Sequence, residues 1–140
     1  MATIVRHKEY DYNGYRKIMK DLTANFPFLK EEVIGKSVFG RDIVALKIES
    51  ERKEYSLYTA AIHGSERITA TVLLKYIENL CEALKNGGKI SGIDAKKALS
   101  GKGVIFVPLC NPDGCEISLK GELGCGQHAA RIKRLCGSDF

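Results

Sequence analysis

The chain has 140 residues, 44% hydrophobic and 28% charged, a balance that suits one globular domain with its own core and excludes disordered and collagen-like classes. Its formal charge is +5, but Lys and Arg are interspersed with Asp and Glu, and the densest basic run, "ARIKR" at 130–134, has helical spacing and no interleaved aromatics. That run reads as a solvated helix face and not as a nucleic-acid platform, and no apolar stretch approaches the roughly 20 residues that span a bilayer.

The predicted elements alternate. Tyr15, Ile18, Met19 and Leu22 follow i, i+3, i+4, i+7 spacing and predict an amphipathic helix over 10–26, which Pro27 helps to end. "EVIGKSV" and "DIVALKIE" form a hairpin candidate joined by "FGR", where Gly40 supplies a positive φ. "EYSLYTAAI" at 54–62 is apolar at both alternating positions, the pattern of a strand covered on both faces and therefore central in its sheet. From Glu66 to Lys85, Ile68, Val72, Leu73, Tyr76, Ile77, Leu80 and Leu84 predict a helix of about five turns with those residues on its inner stripe. "NGGKISG" at 86–92 reads as a loop, and Asp94 as the cap of a short helix through Leu99. "GVIFVPL" is a second buried strand with Pro108 at its end, and a further helix is expected around 127–135.

Five cysteines cannot all pair within one chain. The N-terminus, "MATIVRHKEY", is charged by its sixth residue and has no apolar signal core, so the expected compartment is the cytoplasm, with reduced thiols. Cys110, Cys115, Cys125 and Cys136 lack the short paired spacings of a structural zinc knuckle.

Chemistry concentrates after the two buried strands. His63 follows the first, and Glu66 stands three residues on, in the first turn of the long helix. In open α/β sheets ligands bind at such strand ends, and an imidazole with a carboxylate supplies two donors that Zn²⁺ accepts. Glu66 is also the residue type that a helix N-terminus favours for dipole reasons. After the second strand come Asn111, Pro112, Asp113 and Gly114, which by themselves have the residues of a type I turn.

Taken in order, "AAIHGSE", a long amphipathic helix and "VIFVPLCNPDG" resemble the zinc carboxypeptidase family, and the H-G-x-E form is similar to its bacterial γ-D-glutamyl-diaminopimelate peptidases. The resemblance covers roughly residue 10 to the end. It implies an α/β fold, a mixed sheet with helices on both faces, incomplete here with about four strands. It implies one Zn²⁺ with His63 and Glu66 as protein ligands, and Asn111 to Gly114 as the turn beside the metal. The family's third ligand, a histidine, and its general base, a glutamate, are expected beyond Phe140. His7 and His128 do not match the ligand position, nor Arg131 and Arg134 that of the family's carbonyl-polarising arginine. The implied reaction is zinc-dependent hydrolysis of peptides, some derived from cell walls, with this chain as the first part of the catalytic domain and inactive alone. A zinc-dependent N-acyl amino acid deacylase of the succinylglutamate desuccinylase or aspartoacylase type, and a non-catalytic binding module, are the alternative readings. An incomplete sheet also implies an open edge and self-association.

Overall fold

The computed structural model of the chain describes residues 3–136, the last two by backbone alone. Helix α1 spans Tyr12–Asn25, with Asp11 accepting a hydrogen bond from the Gly14 N–H at its start. Its four predicted inner residues, Tyr15, Ile18, Met19 and Leu22, are all buried. Strands β1 (Leu29–Lys36) and β2 (Asp42–Ile48) form the expected antiparallel hairpin, and Gly40 has φ +81° in the connection. Strand β3 covers Glu54–Thr59, and helix α2 follows over Arg67–Asn86.

The segment after α2 is not a plain loop. It folds as a miniature hairpin, β4 (Lys89–Ile90) and β5 (Ile93–Asp94), joined by Ser91 and Gly92, both with positive φ as a tight two-residue connection demands. Asp94 caps the one-turn helix α3 (Ala95–Ala98) by accepting from the Lys97 N–H. Strand β6 runs over Lys102–Val107. Helix α4 (Pro112–Lys120), a 3₁₀ stretch (Gly121–His128) broken at Gly126, and helix α5 (Ala129–Cys136) complete the described residues.

The principal sheet has the order β1-β2-β6-β3. β6 pairs antiparallel with β2 and parallel with β3, so the sheet is mixed and β6, not β3, lies inside it. The expectation for "EYSLYTAAI" is therefore corrected: among the described residues β3 lies at the edge of the sheet, with Leu57 63% and Tyr58 46% exposed. Apolarity at alternating positions reports what a strand is able to bury, but not whether a neighbour is there to cover it.

A parallel correction applies to α2. Its buried residues include Ala70, Leu74, Ile77, Leu80 and Cys81, while Ile68, Val72 and Tyr76 from the expected inner stripe are 57%, 62% and 37% exposed. The helix carries two apolar stripes, and one of them packs with α1 and with Val44, Leu46, Val104 and Phe106 of the sheet. The N-terminal segment is tied to this helix by Glu78, a buried carboxylate that accepts from the N–H groups of Ile4 and Val5 and from Lys75 Nζ. No helix among the described residues is long and apolar enough to cross a membrane.

Candidate metal site at the strand ends

Because β3 and β6 are parallel neighbours, their carboxyl ends lie side by side, and the segments leaving them remain hydrogen bonded. The Ala60 N–H donates to the Val107 carbonyl, Cys110 N–H to Ala60 and Asn111 N–H to Ala61. Ala61 has φ +49°, a region that a residue with a Cβ enters only when its surroundings hold it there. What holds it is Thr69 of α2: its Oγ1 accepts from the Ala61 N–H at 2.9 Å and donates to the Glu66 carbonyl at 2.7 Å. The chain thus turns off the sheet and delivers His63 to the start of α2.

Asn111 ties the second strand end to the first. Its Oδ1 accepts from the Gly114 N–H at 2.8 Å, and its Nδ2 donates to the Ile62 carbonyl at 3.2 Å. The residues read as a type I turn are in fact the first turn of α4, with Asn111 at the N-cap and Pro112 in the first turn, where a missing N–H costs nothing. A turn and a helix start share these residue types, and the difference arises in the residues that follow.

Glycine at 64 has a packing reason. A Cβ there would fall onto the Gly114 carbonyl and 2.9 Å from the Gly114 Cα, so the His63 loop and the start of α4 touch backbone to backbone.

At the centre, His63 Nδ1 and Glu66 Oε1 are 2.8 Å apart, and the His63 N–H points to Glu66 Oε2 at 3.4 Å. Both side chains are open to solvent, at 76% and 45% exposure. The hydrogen bond from the His63 ring, with help from its backbone N–H, holds the Glu66 carboxyl below the usual carboxylate range. Here the two atoms are hydrogen bonded to each other, and an imidazole nitrogen and a carboxylate oxygen are both donor types that zinc accepts. Among the described residues no third His, Cys, Asp or Glu joins them in a metal-sized group.

The other sequence candidates have different roles. Asp113 is turned away from His63 and Glu66: its carboxylate accepts from Ser37 Oγ and the Phe39 N–H, each at 2.8 Å, and from Arg41 at 2.6 Å. Arg41 also donates to the Gly124 carbonyl, so Asp113 fastens the β1–β2 connection to the start of α4. His128 stacks on Phe39 with ring centroids 4.5 Å apart. Cys110, Cys115 and Cys125 are free thiols, and Cys136 as a zinc candidate lies outside the described side chains. Sequence reasoning missed Thr69 and Arg41, because each acts through a partner distant in the chain and neither sits in a recognisable local pattern.

The chain is similar to known proteins. The profile of the zinc carboxypeptidase family matches residues 15–135. An uncharacterised protein of Bacillus subtilis, YqgT, is 33% identical over 133 residues, which are 94% of this chain and 35% of the relative. γ-D-Glutamyl-L-diamino acid endopeptidase 1 of Lysinibacillus sphaericus is 29% identical over 114 residues, 81% of this chain and 28% of the enzyme. Carboxypeptidase A of Helicoverpa armigera superposes with a TM-score of 0.67 at 23% identity, covering 86% of this chain and 30% of that one, a likeness of fold. The chain therefore spans about a third of the length of these two curated relatives.

Proposed function

The chain belongs to the zinc carboxypeptidase family, and from that premise we propose that it carries part of a zinc peptidase site, with His63 and Glu66 as two of the metal's protein ligands. The observation that carries the reading is that His63 Nδ1 and Glu66 Oε1 lie 2.8 Å apart, hydrogen bonded to each other, at the carboxyl ends of β3 and β6 on a turn held by Thr69 and Asn111. When bound, zinc supplies a water of lowered pKa and a Lewis acid for the scissile carbonyl. The chain's own residues do the holding. His63 offers Nδ1 once that nitrogen has lost its proton, and Glu66, already biased toward its charged form, offers a carboxylate oxygen.

Asn111, Pro112, Asp113 and Gly114 act in this reading as the wall beside the metal. Asn111 and Gly114 do so by contact with the His63 loop, Pro112 by starting α4, and Asp113 by anchoring that start. The substrate class is peptides. Within that class, the likeness to the γ-D-glutamyl-L-diamino acid endopeptidase of Lysinibacillus sphaericus supports γ-D-glutamyl-diamino acid bonds, which in this proposal belong to cell-wall-derived peptides. A complete site needs a third ligand and a general base besides the two residues here, so the 140-residue chain by itself is inactive in this proposal.

The test is an assay on a γ-D-glutamyl-diaminopimelate peptide, on C-terminal peptide substrates and on N-acyl amino acids, with and without chelator. It is run on this chain and on a polypeptide that carries it within a complete domain. Chelator-sensitive cleavage of the first substrate by the complete domain, lost in its His63→Ala variant, supports the reading. Turnover confined to N-acyl amino acids, or full activity of the His63→Ala variant, overturns it.

A further inference from the structure

We propose that Thr69 is a positioning residue of the metal site: its hydroxyl sets the turn that brings His63 to Glu66, and zinc affinity depends on that hydroxyl. The proposal rests on the reading of His63 and Glu66 as zinc ligands.

The Thr69 hydroxyl joins the two ends of the segment that carries both ligands. At one end it accepts from the Ala61 N–H, just ahead of His63, and at the other it donates to the carbonyl of Glu66 itself. A hydroxyl does both from a single atom.

Each end needs holding. Ala61 is 1% exposed and has φ +49°, a conformation unfavourable for a residue with a Cβ. Its N–H is paired with Thr69 Oγ1, and a buried N–H that loses its partner is costly enough to drive the backbone toward another arrangement. The Ala61 carbonyl accepts from the Asn111 N–H, which fixes this residue to the end of β6. Loss of the Thr69 bond therefore frees the turn at Ala61, and the part that moves is the chain beyond it, which bears His63.

Glu66 is the N-cap residue of α2, yet its carboxylate accepts no hydrogen bond from the first-turn N–H groups and meets His63 instead. The Thr69 N–H, at 2.9 Å, and the Thr69 hydroxyl both hold the Glu66 carbonyl. The helix start is thus fixed through the backbone, and the carboxylate is left to the site. Thr71, on the same helix, supplies the contrast: its Oγ1 meets the Tyr15 hydroxyl at 3.2 Å and ties α2 to α1, not to the His63 segment.

The test uses a polypeptide that carries this chain within a complete domain. Equilibrium dialysis against zinc gives the affinity, and hydrogen exchange at the Ala61 amide reports the turn in the metal-free state. Thr69→Val and Thr69→Ala should each weaken zinc binding about tenfold, the low end of what losing an orienting partner of a metal ligand costs, and speed exchange at Ala61. Thr69→Ser keeps the hydroxyl and should restore both. Thr71→Val should leave zinc affinity unchanged even where it lowers the thermal midpoint. Parental affinity in the two hydroxyl-free variants overturns the proposal, as does a Thr69→Ser variant as weak as Thr69→Ala, or an equal loss in Thr71→Val. Failure of both hydroxyl-free variants to fold overturns it too, because the hydroxyl then supports the fold and not the site. His63→Ala separates this proposal from the reading beneath it. Parental zinc binding in that variant means that the ligand assignment fails, whereas zinc lost there but kept in Thr69→Val means that the positioning role alone fails.

Discussion

Gly64 and Gly114 meet backbone to backbone, and the contact joins the loop bearing His63 to the first turn of α4. Neither residue has the positive φ that usually explains a glycine. Space is the constraint: a side chain at 64 would collide with the Gly114 backbone, and one at 114 would meet the Asn111 amide nitrogen at 2.6 Å. Gly64→Ala should accordingly destabilise the fold by about 1–3 kcal/mol, the usual cost of forcing one methyl into a filled space. Urea unfolding measures it, and an unchanged midpoint would show that the two segments separate without penalty.

Asp113 should be among the most sensitive polar positions. It is 12% exposed, its Arg41 partner 19%, and it accepts three hydrogen bonds from one connection. Asp113→Ala removes all three and leaves Arg41 with the Gly124 carbonyl alone, so a loss of about 2–4 kcal/mol is expected. Arg41→Ala should cost less, because Asp113 keeps Ser37 and Phe39. Thermal or urea midpoints of the two variants give the order, and the reverse order would show that the guanidinium, not the carboxylate, organises the connection.

The residues that were legible in the sequence share a property: their meaning is local. Tyr15, Ile18, Met19 and Leu22 lie on one stripe of α1 whatever surrounds it, and His63 and Glu66 converge because three residues across a helix start bring them together. What stayed hidden depends on neighbours. β3 has the composition of a covered strand, but β6 takes the inner position, and α2 has two apolar stripes between which periodicity does not choose. Asn111 to Gly114 serve a turn and a helix start equally well. Thr69 was invisible because its work is on Ala61, whose positive φ no alanine announces.

The thiols should separate by burial. Burial pushes Cys81 up to about 12 and Cys115 up to about 11, so at pH 8 only about one part in ten thousand and one in a thousand, respectively, is the reactive thiolate. Cys110 is shifted upward too, but it is only half-buried. Brief alkylation of the native protein followed by peptide mass mapping should find Cys110 modified well before Cys81 and Cys115, and all three alike in denaturant. Early modification of Cys81 would mean that the core around α2 opens far more readily than its burial implies.

Zinc affinity should reflect the ligand count. No group of three His, Cys, Asp or Glu forms among the described residues, and His63 and Glu66 are both exposed, so water competes for the metal at every other position. The chain should bind zinc weakly, far short of a structural site, and should show no chelator-sensitive peptidase activity with zinc added. His63→Ala and Glu66→Gln should each remove that weak binding while leaving the thermal midpoint of the metal-free chain unchanged, since their mutual hydrogen bond lies in solvent. Equilibrium dialysis against zinc measures the first effect and calorimetry the second. Tight zinc binding that survives both substitutions would place the metal elsewhere on the chain and remove these two residues from the site.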